Sequence, residues 1–224
     1  MKIRTIVLGP ILALIPALIV AMPFRPDAGS DMESVWGLLR PAEAHAASDS
    51  AWGQRPSGDQ LRRLAHLEPY IRYFTSLAYG PEDARVSADY IRALILTESS
   101  AHAHARSGKG ARGLTQIIPG TARMVMKKLA ALSYDFLYID EHVFESFKPE
   151  DLHDPALNIL IACYLSATYH GWYDGSTELV VSAWNAGPGA VARYDNAVPP
   201  YPETRGMITR LKGFMAYLGE GNVN

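Results

Sequence analysis

The chain has 224 residues, of which 48% are hydrophobic and 20% charged, and this balance excludes a disordered protein and suits one domain plus a tail. Its formal net charge of −2 gives no electrostatic basis for binding nucleic acid, which is therefore not expected as a partner. The single cysteine, Cys163, excludes an internal disulfide, and its position within the apolar pattern of a predicted helix predicts a buried thiol.

Residues 1–25 are predicted to be a signal peptide or a membrane anchor, not part of the fold. Lys2 and Arg4 precede an uncharged stretch from Thr5 to Phe24, and a basic flank followed by an apolar block is the pattern of a secretory signal. The stretch is longer than a usual signal core and approaches the length of a membrane span. Export is therefore expected. Cleavage, for which Ala44-His45-Ala46 offers a small-residue site, and retention as an anchor both stay open.

Residues 26–57 are predicted to be a linker, and residues 58–224 a single helical domain. The linker is rich in Pro, Gly, Ser, Asp and Ala and shows no sustained period. Apolar residues then recur at helical spacing over 59–79, which predicts one continuous helix ended by Gly80-Pro81. A second helix is expected to begin after the cap residue Ser87 and to run to residue 98.

Three more helices are predicted in the second half of the chain. Asp154-Pro155, a cap residue followed by proline, begins a helix that reaches Gly171. Another covers 177–186 and is stopped by Gly187-Pro188-Gly189, and the last covers 203–218. Strand-like alternation is confined to a short piece around residues 113–118. The sequence therefore predicts a mainly α fold with at most a very small β element.

Glu98 ends the apolar run of the second predicted helix. A carboxyl group at the last turn of a buried helix lies partly out of water, and burial raises its pKa, as a general acid at neutral pH requires. A solvated helix end is the commoner role for such a residue, so Glu98 needs support from the residues around it.

Four short stretches supply that support, because they follow one another in a fixed order. They are Glu98-Ser99; Gly110-Ala111-Arg112-Gly113-Leu114-Thr115-Gln116 with Pro119-Gly120-Thr121-Ala122; Asp154-Pro155 with Asn158-Ile159; and Ala183-Trp184-Asn185-Ala186-Gly187-Pro188-Gly189-Ala190-Val191. Together they resemble the soluble lytic transglycosylase (SLT) domain, over roughly residues 66–218. The resemblance implies a lysozyme-like helical domain of the goose-type/SLT kind that cleaves peptidoglycan.

The resemblance also implies a mechanism with one carboxylate, Glu98. Neutral Glu98 would protonate the oxygen between N-acetylmuramic acid (MurNAc) and N-acetylglucosamine (GlcNAc), and the substrate's acetamido group would stabilise the cationic centre. Glu98 would then accept the proton of the muramyl 6-hydroxyl as a 1,6-anhydro ring closes. The reaction is a lyase reaction that needs no cofactor. Most glycosidases instead use two carboxylates.

Five residues are candidates for substrate binding. Gln116 and Asn185 carry amides that can recognise hydroxyl and acetamido groups. Gly113 permits a positive φ and close approach of the backbone to a sugar chain. Trp184 can line the apolar face of a sugar, and Ser99 can contact substrate or hold the Glu98 carboxyl. A structural role is the alternative for each of them.

The sequence departs from the family pattern at four places. Trp184 and Met207 each stand where a tyrosine is usual, and the tyrosine at the second position typically hydrogen-bonds the catalytic carboxyl. Tyr201 is a candidate replacement for it. Ala101 stands where an aromatic residue is common. The connection 123–153 is longer than usual and aromatic-rich, and it is expected either to shape substrate selection or to pack onto the domain.

No metal site is predicted, because His102 and His104 lack further ligands at suitable spacing. The expected partner is the glycan strand of peptidoglycan in the periplasm or cell envelope. The setting is either wall turnover or wall opening for an envelope-spanning secretion or conjugation machine. A lysozyme-like muramidase that uses water and a catalytically impaired glycan-binding scaffold are the alternative functions.

Overall fold

The computed structural model describes residues 54–79, 84–132 and 134–219, and within these ranges the chain forms nine α-helices and one 3₁₀-helix. They are α1 (Gly58–Ala65), α2 (Glu68–Ser76), α3 (Ala88–Ser99), α4 (Pro119–Leu129), α5 (Val143–Ser146), the 3₁₀-helix η1 (Pro149–His153), α6 (Pro155–Trp172), α7 (Thr177–Ala186), α8 (Pro188–Arg193) and α9 (Pro202–Gly219). The predicted signal, nearly all of the predicted linker and Gly80-Pro81 lie outside the described residues.

The mainly α fold is confirmed. In the described part of the chain the only β pairing consists of isolated bridges, which join Arg112 to Arg106 and to Ile117. The piece that alternates like a strand, residues 113–118, is a turn closed by two hydrogen bonds of 3.0 Å between Arg112 and Ile117. No helix among the described residues is long and apolar enough to cross a bilayer.

Local capping signals place the two helices that matter most for the site. The Ser87 side chain accepts a hydrogen bond of 3.1 Å from the Tyr90 amide and begins α3. Asp154 accepts one of 2.9 Å from the Leu157 amide, with Pro155 at the first helical position of α6. Both helices therefore begin where the sequence predicts.

Two boundaries differ from the prediction. The expected helix over 59–79 is two helices, α1 and α2, separated at His66-Leu67. Pro69 explains the break, because proline has no amide hydrogen to donate to the carbonyl four residues earlier and is tolerated only in the first turn of a helix, where it lies in α2. At the other end of the molecule, Gly187-Pro188-Gly189 ends α7 but does not end helical structure, since Pro188 begins α8.

Helix α6 is the centre of the core. Most of its residues are buried, Cys163 among them, and it packs against α2, α3, α4, α7 and η1. The C-terminal helix α9 packs on both α3 and α7. These contacts bring the C-terminal end of α3, which carries Glu98, next to α7, which carries Trp184.

The aromatic residues that follow α4 in the connection 123–153 pack onto the domain, which is one of the two alternatives expected for this connection. Tyr138 meets the rings of Tyr70 and Tyr73 on α2 at centroid distances of 5.0 and 5.4 Å. Phe136 is buried, and the Leu137 amide donates to the Tyr73 hydroxyl over 3.0 Å. This segment is therefore part of the structure that covers α2.

Candidate active site

Glu98 lies in the last turn of α3, where the backbone is held from outside the helix. Ser100 and Ala101, which follow the helix, both adopt left-handed backbone, with φ of 55° and 61°. Arg63 of α1 donates to the Ser100 carbonyl from Nε at 3.1 Å and from Nη2 at 3.0 Å. A cation on a terminal carbonyl stabilises a helix end, so the position of Glu98 is fixed from the α1 side.

The Glu98 carboxyl is hydrogen-bonded by Trp184. The indole Nε1 of Trp184 donates to Oε1 of Glu98 over 2.8 Å. Neither Met207, which is buried, nor Tyr201, whose ring packs on Tyr194 at 5.8 Å, makes this contact in the described residues. The donor therefore comes from the position next to Asn185 in α7 and not from α9.

Ser99 does not hold the carboxyl, contrary to one expectation. Its hydroxyl donates over 2.7 Å to the carbonyl oxygen of Leu114. This bond joins the end of α3 to the turn that carries Gly113 and Gln116. Ser99 thus positions the second motif against the first.

Burial raises the pKa of Glu98 to about 8. The largest cause is removal of the carboxylate from water, and the nearby negative charge of Glu203 acts in the same direction. The hydrogen bond from Trp184 and the positive charge of Arg210 act in the opposite direction. The carboxyl is accordingly neutral at pH 7, the state that a general acid needs before it donates a proton.

Glu203 is a second carboxylate near Glu98 that the sequence motifs did not single out. It lies in the first turn of α9, and its Oε1 is buried without a hydrogen-bond partner among the described residues. Its place in the sequence offered a signal, because Glu203 lies four residues before Met207, where the sequence departs from the family pattern. A buried carboxylate oxygen in this state can accept a hydrogen bond from a bound molecule.

Asn158 organises the turn beside Glu98. It is fully buried in α6, and its Oδ1 accepts from the amide and the hydroxyl of Thr115 at 3.0 and 2.7 Å. Its Nδ2 donates to the carbonyls of Arg112 and Leu152 at 3.2 and 2.9 Å. The sequence motif included Asn158 but suggested no role for it. The structure shows that it ties the turn to the core helix.

Gly113 is required by this packing. Its φ is +80°, and a Cβ at this position would lie 2.1 Å from the Leu152 carbonyl oxygen and 2.3 Å from Nδ2 of Asn158. The close approach that the glycine permits is therefore between parts of the protein. Contact between Gly113 and a sugar stays a prediction.

Gln116 and Trp184 line the same open cleft. The Gln116 side chain donates to the Gly113 carbonyl over 2.9 Å, which fixes its amide at the rim. The cleft wall is mostly apolar, with the lining residues Gln116, Ile117, Ile118, Thr121, Leu165, Tyr169, Ala183, Trp184, Gly187 and Pro188. Trp184 also donates to Glu98, so one residue of the cleft wall is hydrogen-bonded to the carboxyl.

Asn185 lies next to this cleft but is buried in the protein. Its Oδ1 accepts a hydrogen bond of 2.6 Å from the hydroxyl of Thr204 in α9. One of its two recognition groups is thus used to join α7 to α9. Its contact with substrate stays a prediction.

The described residues contain no group of three or more His, Cys, Asp or Glu side chains placed to hold a metal ion. The His104 ring lies 5.4 Å from that of His153, whose Nδ1 is 3.2 Å from the Ala103 carbonyl. What the site offers chemically is one carboxyl with a raised pKa, hydrogen-bonded by an indole that lines an apolar cleft.

Comparison with known proteins agrees with this arrangement. The profile of the Transglycosylase SLT domain matches residues 79–202, which is more than half of the chain and includes Glu98 and the five predicted substrate-binding residues. The chain belongs to the SLT domain family. Its SLT domain is similar to the soluble lytic murein transglycosylases of Salmonella typhimurium, with 30% identity over 171 residues, and of Escherichia coli K12, with 31% identity over 168 residues.

These alignments cover 68% and 69% of this chain but 24% and 23% of the relatives, so the chain spans about a quarter of their length. Among solved structures, the 70-kDa soluble lytic transglycosylase from Escherichia coli matches with a TM-score of 0.56 at 24% identity, covering 69% of this chain and 24% of that one. The complex of the 70-kDa soluble lytic transglycosylase with bulgecin A gives the same TM-score and covers 72% of this chain and 25% of that one. The lysozyme-like fold of the SLT domain is thereby shown.

Proposed function

We propose that the protein is a peptidoglycan lytic transglycosylase that cleaves the MurNAc-β-1,4-GlcNAc bond and leaves 1,6-anhydro-MurNAc ends. The observation that carries the proposal is the hydrogen bond from Trp184, a residue of the cleft wall, to the Glu98 carboxyl, whose pKa is raised by burial. Membership of the SLT domain family and likeness to proteins named lytic murein transglycosylases support the same reaction class.

In the first step, the Glu98 proton moves to the glycosidic oxygen. The bond from that oxygen to C1 of MurNAc breaks, and the GlcNAc side leaves with a free 4-hydroxyl. The carboxylate that forms gains stabilisation from the Trp184 N–H and from the charge of Arg210, both of which favour the ionised form. The positive charge that develops at C1 is stabilised by the acetamido oxygen of the substrate.

In the second step, the Glu98 carboxylate accepts the proton of the MurNAc 6-hydroxyl. The 6-oxygen forms a bond to C1, the anhydro ring closes, and Glu98 is neutral again. The proton removed in the second step replaces the one donated in the first, so no water is consumed. A positioned acid–base group of this kind contributes roughly 10²–10⁴-fold to the rate.

The residues of the cleft bind the sugars in this proposal. Gln116 offers the remaining hydrogen-bonding capacity of its amide, and Trp184 offers its ring face to an apolar sugar face. Gly113, Ser99 and Asn185 define the backbone around them through the contacts described above. Their direct contact with the strand is part of the proposal.

A muramidase is the second candidate, and Glu203 is the observation that favours it. Glycosidases that hydrolyse their substrate use two carboxylates, and the charge of Glu203 acts on Glu98. In that case Glu203 would serve as a base for water, and the products would carry reducing ends.

For the setting, we propose the periplasm and cell envelope, on the export pattern of residues 1–25. The reaction there serves either general wall turnover or local wall opening for a secretion or conjugation machine. Deletion of the gene distinguishes these two roles. Loss of wall-turnover products indicates general turnover, whereas loss of transport by the secretion or conjugation machine, with unchanged turnover products, indicates local wall opening.

Digestion of isolated peptidoglycan by the purified protein tests the enzymatic proposal. Mass spectrometry of the released muropeptides is expected to show 1,6-anhydro ends with the natural protein and no release with Glu98→Gln. Reducing ends would favour the muramidase. Binding without release by the natural protein would favour the glycan-binding scaffold.

A further inference from the structure

The cleft-lining face of α6 continues beyond the cleft. Leu165 and Tyr169, four residues apart, both line the cleft wall. Trp172 is three residues beyond Tyr169 and seven beyond Leu165, so all three lie on the same face of the helix. Leu165 and Trp172 are separated along the helix axis by roughly 10 Å.

Trp172 is the exposed end of this row. Its ring centroid lies 5.4 Å from that of Tyr169, with an interplanar angle of 46°. Tyr169 is 5% exposed, whereas Trp172 is 41% exposed at the C-terminal end of α6. The row of side chains that begins in the cleft wall therefore continues through the contact of Tyr169 with Trp172 and ends at the protein surface.

We propose that Trp172 forms a further sugar subsite, remote from the scissile bond, that binds the glycan strand outside the cleft. The indole ring packs against the apolar C–H face of one sugar ring, while the polar groups of that sugar stay in water. The proposal rests on the proposed function, because it takes the occupant of the cleft to be a glycan strand.

The surroundings of Trp172 favour a sugar ring over a protein partner. A protein interface needs a broad apolar patch, whereas Gly171, Asp174 and Gly175 beside Trp172 are exposed small or charged residues. Of the other large exposed apolar side chains in the described residues, Tyr134, Leu137 and Tyr138 belong to the segment that covers α2, and Met124 lies on α4. A single exposed ring continuous with a cleft suits a linear ligand that passes over it.

The test compares long and short glycan strands. Peptide-free strands of eight or more disaccharides and a tetrasaccharide are titrated calorimetrically into the full chain carrying Glu98→Gln, which is expected to bind without cleaving. Adding Trp172→Ala is expected to weaken binding of the long strand by about three- to tenfold and to leave tetrasaccharide binding unchanged. Trp172→Phe is expected to restore most of the difference.

Leu137→Ala is the matched control, since it removes an apolar side chain that is 67% exposed, belongs to the segment that covers α2 and does not line the cleft. It is expected to leave the affinities for the long strand and for the tetrasaccharide unchanged. The subsite would be overturned if Trp172→Ala left the affinity for the long strand unchanged. It would also be overturned if the substitution weakened binding of the long strand and of the tetrasaccharide by the same factor. Failure of the parent to bind either ligand would instead overturn the proposed function, and the subsite with it.

Discussion

Nε1 of Trp184 lies 2.8 Å from Oε1 of Glu98 and joins α7 to the C-terminal end of α3. The indole can donate to the carboxyl in both of its protonation states, but it favours the ionised one. It therefore opposes the effect of burial on the pKa and also fixes the direction in which the proton leaves. The Glu98 carboxyl therefore has a hydrogen-bond donor in Trp184, although the buried Met207 of α9 cannot supply one.

Glu98→Gln is expected to lower turnover by at least about 10²-fold, because the amide can neither donate nor recover the proton. The fold is expected to persist, since the amide oxygen can still accept from Trp184. Peptidoglycan solubilisation measures the first effect and thermal unfolding the second. Near-normal activity in a folded variant would remove Glu98 from the mechanism.

The same substitution has an expected signature in stability against pH. The pKa of Glu98 is raised to about 8 in the folded protein, above its ordinary value of 4.5. The folded state therefore holds the proton more tightly than the unfolded state, and the resulting stability is lost as pH rises from about 4.5 to about 8. Glu98→Gln is expected to remove this dependence. In denaturant unfolding, the free energy of unfolding of the variant is therefore expected to rise relative to that of the natural protein as pH increases from about 4 to about 9.

Trp184→Phe is expected to lower kcat by about 10- to 100-fold, because a hydrogen bond to a charged group is lost as the carboxylate forms. The pKa of Glu98 rises when this donor is removed, so the basic limb of kcat/KM moves to higher pH from its natural position near pH 8. Trp184→Tyr keeps a donor and is expected to retain more activity than Trp184→Phe. An unchanged limb in the phenylalanine variant would show that the contact does not act on Glu98.

Glu203→Gln and Arg210→Gln are expected to move that basic limb in opposite directions. Loss of the negative charge of Glu203 lowers the pKa of Glu98, so activity declines at a lower pH. Loss of the positive charge of Arg210 raises the pKa and moves the decline to higher pH. Profiles of kcat/KM measured at low ionic strength test both, and a shift of the same sign in the two variants would contradict the electrostatic assignment.

Gly113→Ala is expected to destabilise the protein more than Gly110→Ala. Both glycines have positive φ, +80° and +88°, so both substitutions carry the strain of about 1–3 kcal/mol for that backbone. Only Gly113 also brings a Cβ within 2.1 Å of the Leu152 carbonyl, for which overpacking adds roughly 1–3 kcal/mol. The free energies of unfolding of the two variants measure the difference, and equal values would show that the turn relaxes.

Local signals were sufficient for much of the fold. Ser87 and Asp154 cap their helices through their own side chains, so the beginnings of α3 and α6 depend on residues within a few positions. Pro69 also carried a local signal, but the apolar period over 59–79 was continuous and concealed the break between α1 and α2.

The partners of Glu98 depend on contacts between distant parts of the chain, which local pattern does not encode. Trp184 is 86 positions from Glu98 in the sequence, and their hydrogen bond requires α7 to pack beside the end of α3. The four bonds of Asn158 and the charge of Glu203 near Glu98 have the same origin. A motif could therefore place Glu98 in the candidate site, but only the packed structure shows what holds it and what sets its pKa.

Digestion of peptidoglycan in ¹⁸O-labelled water tests the central claim most directly, since it follows the fate of the atoms at C1. If Glu98 acts first as acid and then as base on the 6-hydroxyl, mass spectrometry shows 1,6-anhydro products that contain no ¹⁸O from cleavage, and Glu98→Gln releases none. Products with reducing ends that carry ¹⁸O would contradict the account and assign a water nucleophile to the site.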